Sequence, residues 1–312
     1  MLELPTVGIA RSVNEHNVEL SVFCDWLEGS VLFEDDEELS ASQVVDLLCD
    51  SGVYKEQDFA WEMVSNAWRE LKRRGDYLGI GSPLEIGKLR LKRLGEWRNF
   101  SAYSFCIILS YAKWYPKWAG GFGADFTKQG ELFEALTKES LNALFPGWEI
   151  HSTGWTRTHT SKLGQVVREI AAQLGEPLGE VGLWVDEKKH EAGLDLLCYR
   201  PFPDGRVGVP VILLQCASGM HWDGKLHTPR LEIWNKLVSF ASEPKKGFAM
   251  PYSVSDSEFR RSCTLVNGVF LDRYRLLSPS RVNRDWISAE LKTGLVDWLE
   301  PRIASLPHLE ED

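Results

Sequence analysis

The 312-residue chain lacks any apolar run long enough to cross a bilayer, which takes about 20 residues; its longest lies around Phe105 to Leu109. It also lacks a basic start followed by an apolar stretch, so no secretory leader is expected. The expectation is a soluble, cytoplasmic protein with no membrane partner. Cysteines are scattered: Cys24, Cys49, Cys106, Cys198, Cys216 and Cys263 form no CxxC pair, so neither a zinc site nor a disulfide framework is indicated. Most sit in apolar segments, as reduced core thiols do. Positive charge is short overall. A net charge of −10 excludes a protein that grips nucleic acid with its whole surface, so any such contact has to be local. No GK[ST] follows the glycines of AGGFGAD at 119–125, which disfavours a phosphate-binding loop and leaves a linker. The histidines His151, His159, His190, His221 and His227 show no pairing with a nucleophile.

What is present divides the chain near that linker. Length alone favours two domains, and the expected split is a mostly helical domain over 1–124 followed by an α/β domain over 125–312. The acidic cluster Glu34 to Glu38 reads as a solvated loop. Ser40 or Ser42 then caps a helix through Val44, Val45, Leu47 and Leu48 that ends near Gly52. A second helix follows over about 56–74, with Phe59, Met63, Ala67 and Leu71 at four-residue spacing. The two together resemble a helix-turn-helix unit. Between Arg69 and Arg98 stand nine basic residues against four acidic ones. Arg73, Arg74, Lys92 and Arg93 are therefore candidate contacts for nucleic acid or a partner protein, the alternative being solvated cations favoured at a helix C-terminus. Of the 13 tryptophans, three fall in WRNFSAYSFCIILSYAKWYPKW at 97–118, a stretch apolar almost all round that reads as the buried central helix of this half.

The second half is organised around GLDLLCYRPFPDGRVGVPVILLQCASGMHWDGK at 193–225. Two apolar runs, 194–199 and 209–216, are joined by PFPDGRVG, whose Pro, Asp and Gly close a hairpin. A strand buried on both faces reads Val, Ile and Leu throughout, yet the first run carries Asp195 and the second ends in Gln215. One reading makes Asp195 a strand cap and Gln215 a hydrogen-bonded core residue. The other sets them side by side across the hairpin, offering a carboxylate and an amide oxygen to one hard divalent ion.

The order of the motifs adds to this. A helix with Gly130-Glu131-Leu132-Phe133-Glu134, an extended segment PGWEIHSTGW, a strand with Asp195 and a strand ending in Gln215 resemble the PD-(D/E)xK, or restriction-endonuclease-like, nuclease superfamily over about 125–255. The resemblance implies an α/β (α+β) three-layer core with a mixed sheet and hydrolysis of DNA phosphodiesters with Mg²⁺ or Mn²⁺. It makes Asp195 the metal-binding aspartate, Gln215 the variant of the (D/E) position and Glu134 the helix glutamate, with all three as metal ligands. Ala217 stands where the lysine is wanted, so Lys225 in HWDGK, or else Lys162, is the candidate lysine. Glu169, on a helix read at 161–174, rivals Glu134. The resemblance further implies a place in a bacterial restriction or phage-defence system with protein partners. A non-catalytic DNA-binding or assembly subunit is the alternative. Downstream, Thr228 and Pro229 read as the N-cap and first residue of a helix, KGFAMPYSV and GVFLDRYRLL as strands, and about 284–303 as a closing helix.

Overall fold

The structure, a computed structural model, describes residues 1–5, 7–9, 18–123, 125–153, 163–184 and 193–309. The chain forms two compact units, Met1–Ala124 with Arg273–Asp312, and Asp125–Asp272. The expected boundary near residue 124 coincides with one of these limits. The second unit, however, stops at Asp272, and the C-terminal segment belongs to the first.

The first unit begins with helix α1 (Leu20–Leu32), followed by strand β1 (Glu38–Ser40) and helices α2 (Ala41–Asp50) and α3 (Gln57–Leu78). Strands β2 (Leu84–Ile86) and β3 (Arg90–Arg93) come next, then α4 (Ser101–Trp114) and α5 (Pro116–Gly120). A capping box starts α2: Ser40 Oγ accepts from the Gln43 N–H at 3.2 Å, and the Ser40 N–H donates to Gln43 Oε1 at 2.9 Å. The three strands form an antiparallel sheet in the order β1-β3-β2. α3 buries Ala60, Val64, Ala67, Trp68, Leu71, Arg74 and Leu78, so Ala67 and Leu71 of the expected stripe face inward, while Ala60 and Val64 are buried where the spacing puts Phe59 and Met63, which are half-buried. It ends at Gly79, whose φ of 54° only glycine adopts cheaply. α1 and α4 are buried on nearly all sides, α1 with Asp25 and Glu28 among its buried residues.

The second unit carries α6 (Phe126–Leu144), β4 (Glu149–Ser152), α7 (Leu163–Leu174), α8 (Val181–Trp184), β5 (Leu196–Tyr199) and β6 (Val211–Cys216). It continues with α9 (Leu231–Leu237), β7 (Lys245–Ala249), α10 (Asp256–Val266) and β8 (Val269–Leu271). These strands make a mixed sheet in the order β4-β5-β6-β7-β8, antiparallel as far as β6 and parallel from β6 to β8. Alternation along the strands separates two faces. Leu197, Tyr199, Val211 and Leu213 pack against α7 and against Trp234 and Leu237 of α9. Each fully buried side chain of that size contributes about 1.5–3 kcal/mol of transfer free energy. On the other face lies α6, where Thr137 meets Cys216 and Glu134 meets Ser152. The mixed α/β class expected of the sequence is what the chain adopts.

The chain then re-enters the first unit through α11 (Arg273–Leu277) and α12 (Ala289–Ile303). The strand expected at GVFLDRYRLL thus ends at Leu271, and Arg273 and Arg275 stand on a helix rather than alternating along a strand. Arg273 is completely buried and grips Asp25 of α1 with two hydrogen bonds of 2.9 Å. That partner sits 248 residues earlier in the chain. Trp298 of α12 meets Phe105 of α4 edge-on at 5.0 Å.

Candidate functional site

Asp195 lies one residue ahead of β5, and its backbone extends the ladder, donating to Leu214 O and accepting from the Thr153 N–H, both at 2.9 Å. Because Leu196 pairs with Leu214, Asp195 falls opposite Gln215. The two side chains touch. Asp195 Oδ2 accepts from Gln215 Nε2 and from the Cys216 N–H, each at 2.6 Å. Gln215, only 8% exposed, also donates from Nε2 to Cys216 O at 3.2 Å, while its Oε1 faces Thr228 Oγ1 at 3.3 Å. Gly193, with φ of 62°, leaves room for this cluster. A Cβ there would stand 2.7 Å from Thr228 Cβ and 3.1 Å from Gln215 Oε1.

The expected pairing across the hairpin is therefore present, with one correction. It is the amide nitrogen of Gln215, not its oxygen, that faces Asp195, because Nε2 finds two acceptors there.

Beyond Cys216 the chain is held to α6. Ser218 O accepts from Gln129 Nε2 at 3.1 Å and from Tyr252 OH at 2.7 Å. Glu134 lies five residues further along α6, half-buried. Burial pushes its carboxyl up from the ordinary value, a hydrogen bond with Ser152 and the charge of Lys138 oppose the rise, and Glu131 adds to it. Cys216 stands between the acidic groups: burial first, then the Asp195 and Glu134 carboxylates, push its thiol well above the ordinary range, with Thr137 opposing. Asp195 and Glu134 thus both bear on Cys216, the last residue of β6.

Lys225 is exposed, on a short turn over Asp223–Lys225, and makes no ion pair among the described residues. Its carbonyl accepts the Thr228 hydroxyl at 2.6 Å, so its backbone is one residue removed from Gln215. Trp222 packs toward Phe248 and Phe270, as folding the loop back onto the sheet requires. Lys162 lies outside the described residues. Glu169 is on the exposed side of α7, hydrogen-bonded to Gln165 at 2.9 Å, and does not join Asp195 and Gln215. Thr228 is not the expected helix cap, since α9 starts only at Leu231; its hydroxyl serves the site instead. Nothing in the sequence marks Thr228 for that role, because Thr-Pro before an amphipathic segment is the pattern of a cap.

The basic patch needs correction too. Arg74 is 1% exposed and bound to Asp25, Glu28 and Glu70. Arg73 takes both carboxylate oxygens of Glu70 at 2.8 Å. Arg93 donates to Glu34 O at 2.8 Å and lies 3.7 Å from Glu37 and from Glu96. Of the four, Lys92 alone is fully exposed, and Glu38 and Glu85 flank it across the sheet.

Among the described residues, no group of three His, Cys, Asp or Glu side chains is arranged to hold a metal ion. Asp195, Gln215 and Glu134 supply only two of those types, yet all three carry oxygen donors, the ligands a hard divalent cation takes. Their donor chemistry is of the kind that Mg²⁺ or Mn²⁺ takes. No protein-family model matches the chain, and no curated protein or solved structure shows a significant likeness to it.

Proposed function

We propose that residues 125–272 form a nuclease unit of the PD-(D/E)xK kind that hydrolyses DNA phosphodiesters with Mg²⁺ or Mn²⁺. The observation that carries the reading is the contact of Asp195 with Gln215 at the end of an antiparallel strand pair. A glutamate-bearing helix precedes that pair, and a helix and a parallel strand follow it. Asp195, Gln215 and Glu134 would hold the ion. When bound, it supplies Lewis-acid polarisation of a phosphoryl oxygen and a water acidic enough to attack at neutral pH. Gln215 in place of a carboxylate keeps an oxygen donor but subtracts a charge, so the hold on the ion is weaker than in an all-carboxylate site. Lys225, on its exposed turn beside Thr228, brings positive charge to the phosphate.

The first unit supports a DNA partner by its connectivity. Helix, strand, two helices and two strands, with the sheet order β1-β3-β2, is the path of a winged helix-turn-helix. Arg69, Lys72, Lys88 and Lys92 are among its exposed cations. The phage-defence setting, with further protein partners for target choice, rests on the resemblance alone.

A second reading, a non-catalytic DNA-binding or assembly subunit, is favoured by the amide nitrogen that faces Asp195 and by Lys225 in solvent. One experiment separates the two. The full chain is incubated with plasmid DNA and Mg²⁺ or Mn²⁺, beside Asp195→Ala and Lys225→Ala. The nuclease reading expects cleavage that Asp195→Ala abolishes without changing the circular dichroism. It also expects Lys225→Ala to cut about 100-fold more slowly while binding DNA as before. Wild-type protein that binds DNA and cuts none establishes the non-catalytic reading.

A further inference from the structure

A cavity of about 40 Å³ opens at the start of α4, between the first turn of that helix, the end of α3 and the segment that leads from α11 into α12. Its lining residues all belong to the first unit. A water takes about 10–15 Å³ of cavity, so about three waters fit, or one tetrahedral oxyanion of like bulk. Phe100 and Trp286, both half-buried, supply aromatic walls.

Three features there call for a negative group. Ser101 lines the cavity, is 2% exposed, and has a hydroxyl with no hydrogen-bond partner among the described residues. The carbonyl four residues back, which a serine within a helix often takes, is Trp97 O, and it accepts from Ser104 at 3.2 Å instead. Two cations stand nearby without a counter-charge. Lys292 is half-buried and makes no ion pair among the described residues, and neither does Arg284, whose Nε is anchored to Ile80 O at 2.6 Å. Lastly, α4 is a 14-residue helix whose N-cap, Phe100, makes no side-chain hydrogen bond and whose first turn carries no acid, so no side chain of the helix answers the positive end of its dipole. Asp285, exposed, is the one acid of the lining, and two cations and a helix end stand against it. We propose that this cavity binds the phosphate group of a nucleotide, free or within a DNA strand. The Ser101 hydroxyl donates to the phosphate, Lys292 and Arg284 balance its charge, and Trp286 offers a ring face to the base. The site does not depend on the Asp195 cluster and stands or falls apart from metal-dependent cleavage.

The test uses the full chain at fixed ionic strength with thymidine 5′-monophosphate as the probe and thymidine as its control. The monophosphate should raise the melting temperature as its concentration rises, and thymidine should not. By calorimetry, Ser101→Ala, Lys292→Gln and Arg284→Gln should each weaken its binding about tenfold, the scale of one hydrogen bond to a charged group. Lys55→Gln, which changes an exposed lysine elsewhere in the unit, should leave the affinity within about twofold of wild type. Ser101→Ala separates a ligand role from a structural one. Deleting a buried hydroxyl that has no partner should leave the free protein melting at the same temperature or higher, while most of the rise brought by the nucleotide is lost. Two DNA strands then identify the source. Displacement of the monophosphate by a 5′-phosphorylated oligonucleotide, and not by the same strand lacking that phosphate, assigns the cavity to a strand end. Equal displacement by both assigns it to a backbone phosphate, and displacement by neither leaves the free nucleotide as its ligand. The proposal is overturned if millimolar thymidine 5′-monophosphate does not bind the wild-type chain, or if Ser101→Ala and Lys292→Gln bind it as tightly as wild type does.

Discussion

Buried charge decides the residue scale in the first unit. Asp25 is pushed up by burial, but the guanidiniums of Arg273 and Arg74 outweigh this and hold its carboxyl below the ordinary range. Glu28, 3.0 Å from Arg74, stays above its ordinary value, because burial and the Asp25 charge exceed what the arginines return. Arg273→Met leaves two buried carboxylates facing Arg74 alone. It should cost about 3–5 kcal/mol in urea unfolding, the usual result of orphaning a buried charge. Glu134 offers the opposite sign. Its folded value is raised, so the stability it lends is complete below the ordinary carboxylate value and is lost as pH rises through the folded one. Glu134→Gln can still accept from Ser152. It should therefore melt higher than wild type at pH 7 to 8 with EDTA present, and at the same temperature near pH 4. Equal melting temperatures at both pH values would show that Glu134 carries no buried charge.

At the scale of elements, most helices and strands are legible where a single local cause dominates. α6, α7, β5, β6 and β7 declare themselves by apolar spacing, and the β5–β6 hairpin by its turn residues. Asp195 and Gln215 stand out because a polar group in an apolar run needs a partner, and the antiparallel register supplies one. Thr228, Arg74 and Arg273 mislead for the same reason in reverse. Their local patterns fit a cap, a solvated helix end and a strand, while their partners lie 13, 46 to 49 and 248 residues away. The distribution of cations follows from this. Lys72, Lys88 and Lys92 are exposed on α3, in the loop before β3 and on β3, whereas Arg73, Arg74 and Arg93 are tied to carboxylates. Changing the three lysines to Gln should lower the slope of log binding constant against log salt for duplex DNA, by about 0.9 for each phosphate that is no longer neutralised. Arg74→Gln should appear as lost stability instead. An unchanged salt slope in the triple lysine variant would remove this sheet and helix from the DNA surface.

At the scale of the whole molecule the chain leaves the first unit at one point and comes back at another, and this topology makes its own prediction. Residues 1–123 contain α1 and α4, two helices apolar on nearly all sides that need a cover. The cover comes from the far end of the sequence: Trp298 on Phe105, Trp118 Nε1 donating to Arg302 O at 3.2 Å, and Leu2 bridged to His308. Arg273 adds the counter-charge for Asp25. A fragment of residues 1–123 exposes the apolar surface that α12 hides and leaves Asp25 and Glu28 with Arg74 as their one close guanidinium. It should show no cooperative unfolding transition and should bind hydrophobic dyes. Residues 125–272 own both faces of their sheet and the helices that cover them, so that fragment should unfold in one urea transition. Adding a peptide of residues 273–309 to the first fragment should restore a cooperative transition whose midpoint rises with peptide concentration, as linkage between folding and binding demands. The Arg273→Met peptide should need a higher concentration for the same midpoint. If residues 1–123 alone unfold cooperatively and the peptide leaves their midpoint unmoved, α12 and Arg273 decorate a finished unit, and the return of the chain contributes nothing to its core.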